Sequence, residues 1–280
     1  MRIKRAGLIL ATSVAICMCS TAGYAANVIK NNITFDGSMT EQQTKVKSLI
    51  EGYSTKLKQA GKFKATECIN TNMNYDTDNT NSVINRTSTI DGNNLHTVMT
   101  VSEFENGAKT AEETSEGYLI KEGEVYKTYE ITPNGVNKSD TQAIDLVNAY
   151  FPIKCHGDET LTLADGIYTV KGNMTREDYA GSVAANTGDS IDELGVTSGI
   201  TNSMNKNIQL LPYECKFNAE TGDLVSMTID MSGIVKGIID SFKVVLGDDV
   251  ELNKIKGSMY YTSSITVDPT ISVVLPANLK

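Results

Sequence analysis

From Lys64 to Thr132 apolar residues stop recurring at helical spacing and begin to alternate. Ile69, Met73 and Tyr75 share one face of a strand; Leu95, Thr97, Met99 and Val101 share one face of another. "DTDNTN", "DGNN", "ENG" and "KEGE" interrupt the alternation at close intervals. Strand-length runs separated by Asp, Asn and Gly clusters pair antiparallel with their sequence neighbours, because tight turns bring them back beside each other. The stretch reads as a meander of about five strands, the last two being "EGYLI" and "EVYKTYEI", closed by Pro133-Asn134-Gly135. One face of such a sheet is apolar and requires a cover.

The chain supplies covers of helical period. In "TEQQTKVKSLIEGYSTKLKQAG", Val46, Leu49, Ile50, Tyr53 and Leu57 fall on one face, Thr40 and Gln43 form a capping box, and Gly61 ends the helix. The second half mixes both periods. "TQAIDLVNAYF" reads as a short helix, "LTLADGIYTVKGNM" as a tight hairpin, and "TREDYAGSVAAN" as a helix capped by Thr175. Residues 187–206 fit either short helices or a segment without regular structure. "IQLLPYECKFN" and "LVSMTIDMS" read as strands, the second presenting Val225, Met227, Ile229 and Met231 on one face. "GIVKGIIDSFKVVL" carries a wide apolar stripe opposite Lys236, Asp240 and Lys243, and "KIKGSMYYTSSITVDPTISVVLP" supplies two closing strands. The expected architecture is α+β: about ten antiparallel strands and four helices, the helices on one face of the sheet.

The first 25 residues have the pattern of a secretory signal: basic "MRIKR", then apolar "AGLILATSVAICMC". Ile16 precedes Cys17 and Met18 precedes Cys19, too large for lipid attachment at either cysteine, whereas Gly23-Tyr24-Ala25 suits cleavage and release. Residues 26–280 are then expected to form one secreted, extracellular domain of about 255 residues, long enough to bury a core. The formal charge is −9, and without the leader's Arg2, Lys4 and Arg5 it becomes −12. Only Arg86 and Arg176 remain as arginines, a balance that disfavours nucleic acid and anionic membranes as partners. There is no second hydrophobic span, so no transmembrane segment is expected.

Chemistry-bearing residues are sparse. Cys68, Cys155 and Cys215 lack metal-ligand spacing; if a bridge forms, the inward-facing Cys215 and loop residue Cys155 are its candidates. His96 and His156 are the only histidines, and both are expected at solvated positions. Asp76, Asp78 and the asparagines that follow lack the Gly and Glu of a calcium loop, Thr87 standing at the twelfth place, so a hairpin turn is expected. Asp248, Asp249 and Glu251 read as a solvated loop. With no Trp, a glycan site would have to stack sugars on Tyr. No catalytic residue, metal site or cofactor is assigned.

The element order, with strand pairs such as "GYLIKEGEVYKTYE" and "NAETGDLVSMTIDMS", resembles the LolA/LppX/LprG-like superfamily of extracytoplasmic lipoprotein and lipid carriers from about Thr40 to Leu275. The resemblance implies an open half-barrel with helices over its concave face. The missing lipid-attachment cysteine departs from the anchored members. The leading expectation is a secreted, non-enzymatic protein that binds an apolar ligand, a lipid among the candidates, between sheet and helices. Met73, Met99, Met227, Ile229, Ile234, Ile238, Phe242 and Met259 are the candidate lining residues, and flexible thioethers suit both such a cavity and an ordinary core. "GIVKGIIDSFKVVL" is read as a lid, or else as a fixed core helix. The alternative is a protein-interaction module of the same fold with a filled core; a weaker one is an extracellular hydrolase. The export reading predicts a mature chain starting at Ala26, give or take a residue, without lipid on Cys17 or Cys19, and intact mass of the protein from its own host checks it.

Overall fold

The computed structural model describes residues 40–75, 77–123, 125–132, 135–141, 145–175, 178, 210–246 and 254–279. Helix α1 (Glu41–Ala60) is followed by six strands: β1 (Lys62–Tyr75), β2 (Asp78–Asp91), β3 (Asn94–Glu105), β4 (Ala108–Glu122), β5 (Val125–Thr132) and β6 (Gly135–Thr141). Helix α2 (Leu146–Tyr150) precedes β7 (Thr160–Ala164), β8 (Ile167–Met174), β9 (Leu211–Asn218) and β10 (Leu224–Asp230); helix α3 (Ser232–Leu246) and β11 (Ile255–Val267) complete the order. All eleven strands join one antiparallel sheet, β6-β5-β4-β3-β2-β1-β11-β10-β9-β8-β7, curved but not closed into a barrel. The chain therefore moves outward from β1 to the β6 edge, crosses to the β7 edge, and returns inward until β11 lies against β1 from Phe63↔Val267 to Tyr75↔Ile255.

The expected capping of α1 is present in full. Thr40 Oγ1 accepts from Gln43 N at 3.2 Å, the Gln43 side chain accepts from Thr40 N at 3.0 Å, and Gly61 adopts φ 62°, the left-handed conformation that ends the helix. Val46, Leu49, Ile50, Tyr53 and Leu57 are buried, as their spacing dictates. They join one continuous core with Phe63, Ala65 and Ile69 of β1, Tyr150 and Phe151 of the crossing, and Cys215, Phe217, Met227 and Ile229 of the returning strands. Val235 of α3 packs over Gly257, where a Cβ would collide with that valine and with Met73.

Three expectations are corrected. Residues 133–135 do not close the first sheet segment, because Gly135–Thr141 adds β6 at its edge. "LVSMTIDMS" does not alternate throughout: a bulge between Leu224 and Ser226 shifts the parity, so Leu224 is buried and Val225 is 47% exposed. The C-terminal run makes one strand, not two; after β11 residues 268–276 leave the sheet and a 3-10 turn, Ala277–Leu279, ends the described chain. The proposed helix at 175–186 is described only at Thr175 and Asp178, where Asp178 N donates to Thr175 O at 3.0 Å. Residues 187–206, Asp248, Asp249, Glu251 and the leader lie outside the described residues.

At the centre of the covered face an ion pair replaces apolar packing. Glu67 and Arg86 stand opposite each other on β1 and β2, 2% and 6% exposed, and Arg86 Nε and Nη2 each donate to a Glu67 oxygen at 2.6 Å. Tyr261 Oη of β11 donates to Glu67 Oε1 at 2.7 Å, and the guanidinium lies 5.5 Å from the Tyr150 ring centre. Burial and the Glu67 charge push the Tyr261 phenol far above its ordinary range, so it remains a donor. Removing one partner strands a buried charge, whereas removing both does not. Glu67→Leu is therefore expected to cost about 3–5 kcal/mol, and Glu67→Leu with Arg86→Leu considerably less, as measured by denaturant unfolding.

Candidate functional site

On the outer face, opposite the helices, β4 and β5 carry a second set of apolar residues. Tyr118 and Ile120 alternate with the inward Leu119, and Tyr129 and Ile131 lie beside them. The helices cannot reach this side. It is covered instead by the segment after β11, which inserts Leu275 and Leu279 against Tyr129. Four bonds guide that strap: Asp268 N donates to Lys62 O at 3.2 Å, Lys62 Nζ donates to Ile271 O at 2.9 Å, Val273 N donates to Asp91 Oδ2 at 3.3 Å, and Lys138 Nζ donates to Leu279 O at 2.8 Å.

Strap and sheet do not meet along their full length. Between them lies a groove of about 970 Å³, with Ile120, Tyr129, Val273 and Leu275 among its apolar walls. Its polar lining comes from Glu122, Lys127, Lys138, Ser139 and Asp140. Lys127 Nζ and Glu122 Oε2 are 2.7 Å apart, and this contact lowers the Glu122 pKa and raises that of Lys127. Lys138 Nζ lies 5.2 Å from the Tyr129 ring centre, so its ammonium covers an aromatic face. Val274 stands on the rim, 67% exposed. The volume lies within the range of small-molecule sites, and the lining is amphipathic, half of it apolar and half polar or charged.

The eight residues expected to line a ligand cavity are placed as follows. Met73, Met227, Ile229, Ile234 and Met259 are buried together in the main core, and Met99 packs partly buried against it. Ile238 and Phe242 belong to α3, but their side chains lie outside the described residues. None of the six whose side chains are described borders the groove. The groove residues went unassigned because no motif marks them; the available signal was apolar residues on both faces of "EGYLI" and "VYKTYEI".

His96 is partly exposed, as expected, whereas His156 is largely covered, its side chain 13% exposed; both are paired. His96 Nε2 lies 2.8 Å from Glu116 Oε1, and the ring stacks on Tyr118 at 4.5 Å. His156 Nε2 is 2.7 Å from Asp178 Oδ2, and Asp178 also pairs with Lys154 at 3.0 Å and accepts from Thr175 N at 2.8 Å. Beside them Glu159 accepts from His156 N, Gly157 N, Tyr213 Oη and Cys155 Sγ. Gly172 makes room for this cluster, since a Cβ there would meet Glu159 Cγ and Tyr213 Oη at 2.8 Å. Burial and the Glu159 charge push the Cys155 thiol up to about 12, so it stays protonated near neutral pH and is a poor nucleophile. The cluster ties the crossing loop to β8 and β9. Cys68, Cys155 and Cys215 are free thiols, so the candidate Cys155–Cys215 bridge is absent. Among the described residues no group of three or more His, Cys, Asp or Glu side chains is arranged to hold a metal ion. No described helix is long and apolar enough to cross a membrane.

No protein-family model and no curated protein matches the chain. Among solved structures, a DUF1329 family protein from Desulfovibrio piger is similar at 8% identity, over 83% of this chain and 96% of that one, with a TM-score of 0.28.

Asp178 yields a prediction about acid stability. Burial raises its pKa, but Lys154, Thr175 N–H and His156 together outweigh burial and hold it below the usual carboxylate range. A carboxylate depressed in the folded state contributes stability above its unfolded pKa of about 3.9, and that contribution is lost as pH falls through the folded value. Asp178→Asn is expected to melt lower at pH 7 and to lose less Tm than the wild type between about pH 5 and pH 2, as read by thermal melts.

Proposed function

We propose that the chain is an exported, non-enzymatic binding protein with a filled core, and that its ligand seats in the groove between the outer face of β4–β6 and the C-terminal strap. The observation that carries this reading is the contrast between the two faces. On the helix side the proposed lining residues, Met227 and Met259 among them, are packed into the core. On the strap side about 970 Å³ stands open beside apolar residues. The groove suits an apolar or amphipathic molecule whose hydrocarbon part lies along Tyr129 and Leu275 while a polar end meets Lys127, Lys138 or Asp140. A lipid meets that description. The non-enzymatic part of the proposal draws support from the chemistry available: Cys155 is held as a thiol, and the His156–Asp178 pair is committed to holding a loop.

A fluorescent fatty acid titrated into the mature protein tests the reading. Val274→Glu changes an exposed groove residue and is expected to weaken binding about tenfold or more with unchanged melting. Met227→Ala enlarges the core and is expected to lower stability by about 2–5 kcal/mol while leaving the affinity of the folded fraction intact. Affinity that responds to Met227 but not Val274 would move the site between sheet and helices. If the wild type takes up no apolar probe, the ligand-binding proposal fails.

A further inference from the structure

Strand β6 ends the sheet, and the residues from Gly135 to Asp140 are exposed. An edge strand presents an outward row of backbone N–H and C=O groups, a template on which another strand can pair. The side chains it carries decide which partner fits. Val136, Lys138 and Asp140 are on the outer face, with Tyr129 and Lys127 of β5 opposite Lys138 and Asp140; Asn137, Ser139 and Thr141 are on the inner face.

We infer that β6 is a self-complementary edge that pairs antiparallel with β6 of a second copy. A two-fold axis perpendicular to the sheet makes the strands antiparallel and keeps outer face beside outer face. Residues directly opposite share a face, so the axis must pass through a residue facing its own copy. Centred on Lys138, the pairing sets two ammonium groups against each other; centred on Asp140, it sets two carboxylates against each other. Centred on Asn137, it places Lys138 against Val136. Only with Ser139 on the axis does Lys138 of each copy face Asp140 of the other, twice, while Asn137 faces Thr141 on the inner side. This register alone is charge-complementary, and opposite charges directly across a strand pair favour association where like charges oppose it.

Lys138 is on the outer face, its ammonium bonded to Leu279 O at 2.8 Å and lying over the Tyr129 ring of β5, so pairing with Asp140 of the second copy exchanges these contacts for an ion pair across the edge. Lys138, Ser139 and Asp140 also border the groove, so pairing at β6 brings two grooves together across the axis. The inference does not depend on what the groove binds.

Sedimentation equilibrium of the mature chain from about 1 to about 100 μM is expected to show a monomer–dimer equilibrium. Asp140→Lys places lysine opposite lysine and is expected to weaken dimerisation tenfold or more. Adding Lys138→Asp reverses both charges and is expected to restore the dimer, a rescue that a merely damaged fold would not show. Ser139→Cys is expected to form an interchain disulfide under mild oxidation that the wild type does not form, because the two cysteines face each other across the axis. A wild type that stays monomeric throughout the range, or a dimer indifferent to Asp140→Lys, overturns the inference.

Discussion

The Glu67–Arg86 pair constrains the fold at more points than any single apolar contact. It bonds β1 to β2, takes a third hydrogen bond from Tyr261 on β11, and sits against Tyr150 at the end of α2. A hairpin and two elements remote from it in sequence thus converge on two side chains that can be charged in a dry core only if all are in place. A register slip of one residue would turn Glu67 toward the outer face and leave Arg86 behind without its carboxylate. Apolar packing around it tolerates exchange of similar volumes; this node does not.

Both faces of the sheet need a cover. The helices lie over one, and β4 and β5 hold apolar residues on the other as well. The strap meets that need with a small second core around Tyr129, Leu275 and Leu279. A groove is the geometric result of laying an irregular segment over a twisted sheet, because the two surfaces diverge away from their anchoring bonds.

How far the sequence could be read follows from where the physics is local. Helix α1 and its two caps are determined by residues three and four apart, and the hairpin at Asp165-Gly166, both with positive φ, by two residues. Those were readable. Val225 was misplaced because a bulge moves parity without leaving a compositional mark, and β6 was overlooked because "GVNKSDT" has Val136 as its one large apolar side chain and shows no alternation. His156 looked solvated since its partner Asp178 lies beyond a complete hairpin. The groove was hidden for a related reason: the strap that forms it is joined to β5 by tertiary contact alone, across about half of the chain.

The place of β11 beside β1 also governs how this protein can acquire its structure. The central pairing joins residues 62–75 to 255–267, so the longest-range contacts lie in the middle of the sheet and the short-range ones toward its edges. High contact order slows folding, since loop closure must be completed before the contacts that reward it can form. For a chain delivered N-terminus first, β1 and α1 wait with one flank bare until the final strand arrives. Completion of the sheet is therefore a late event, and any species that has lost its last strand keeps an open edge down its centre, a surface prone to aggregation and open to proteolytic clearance.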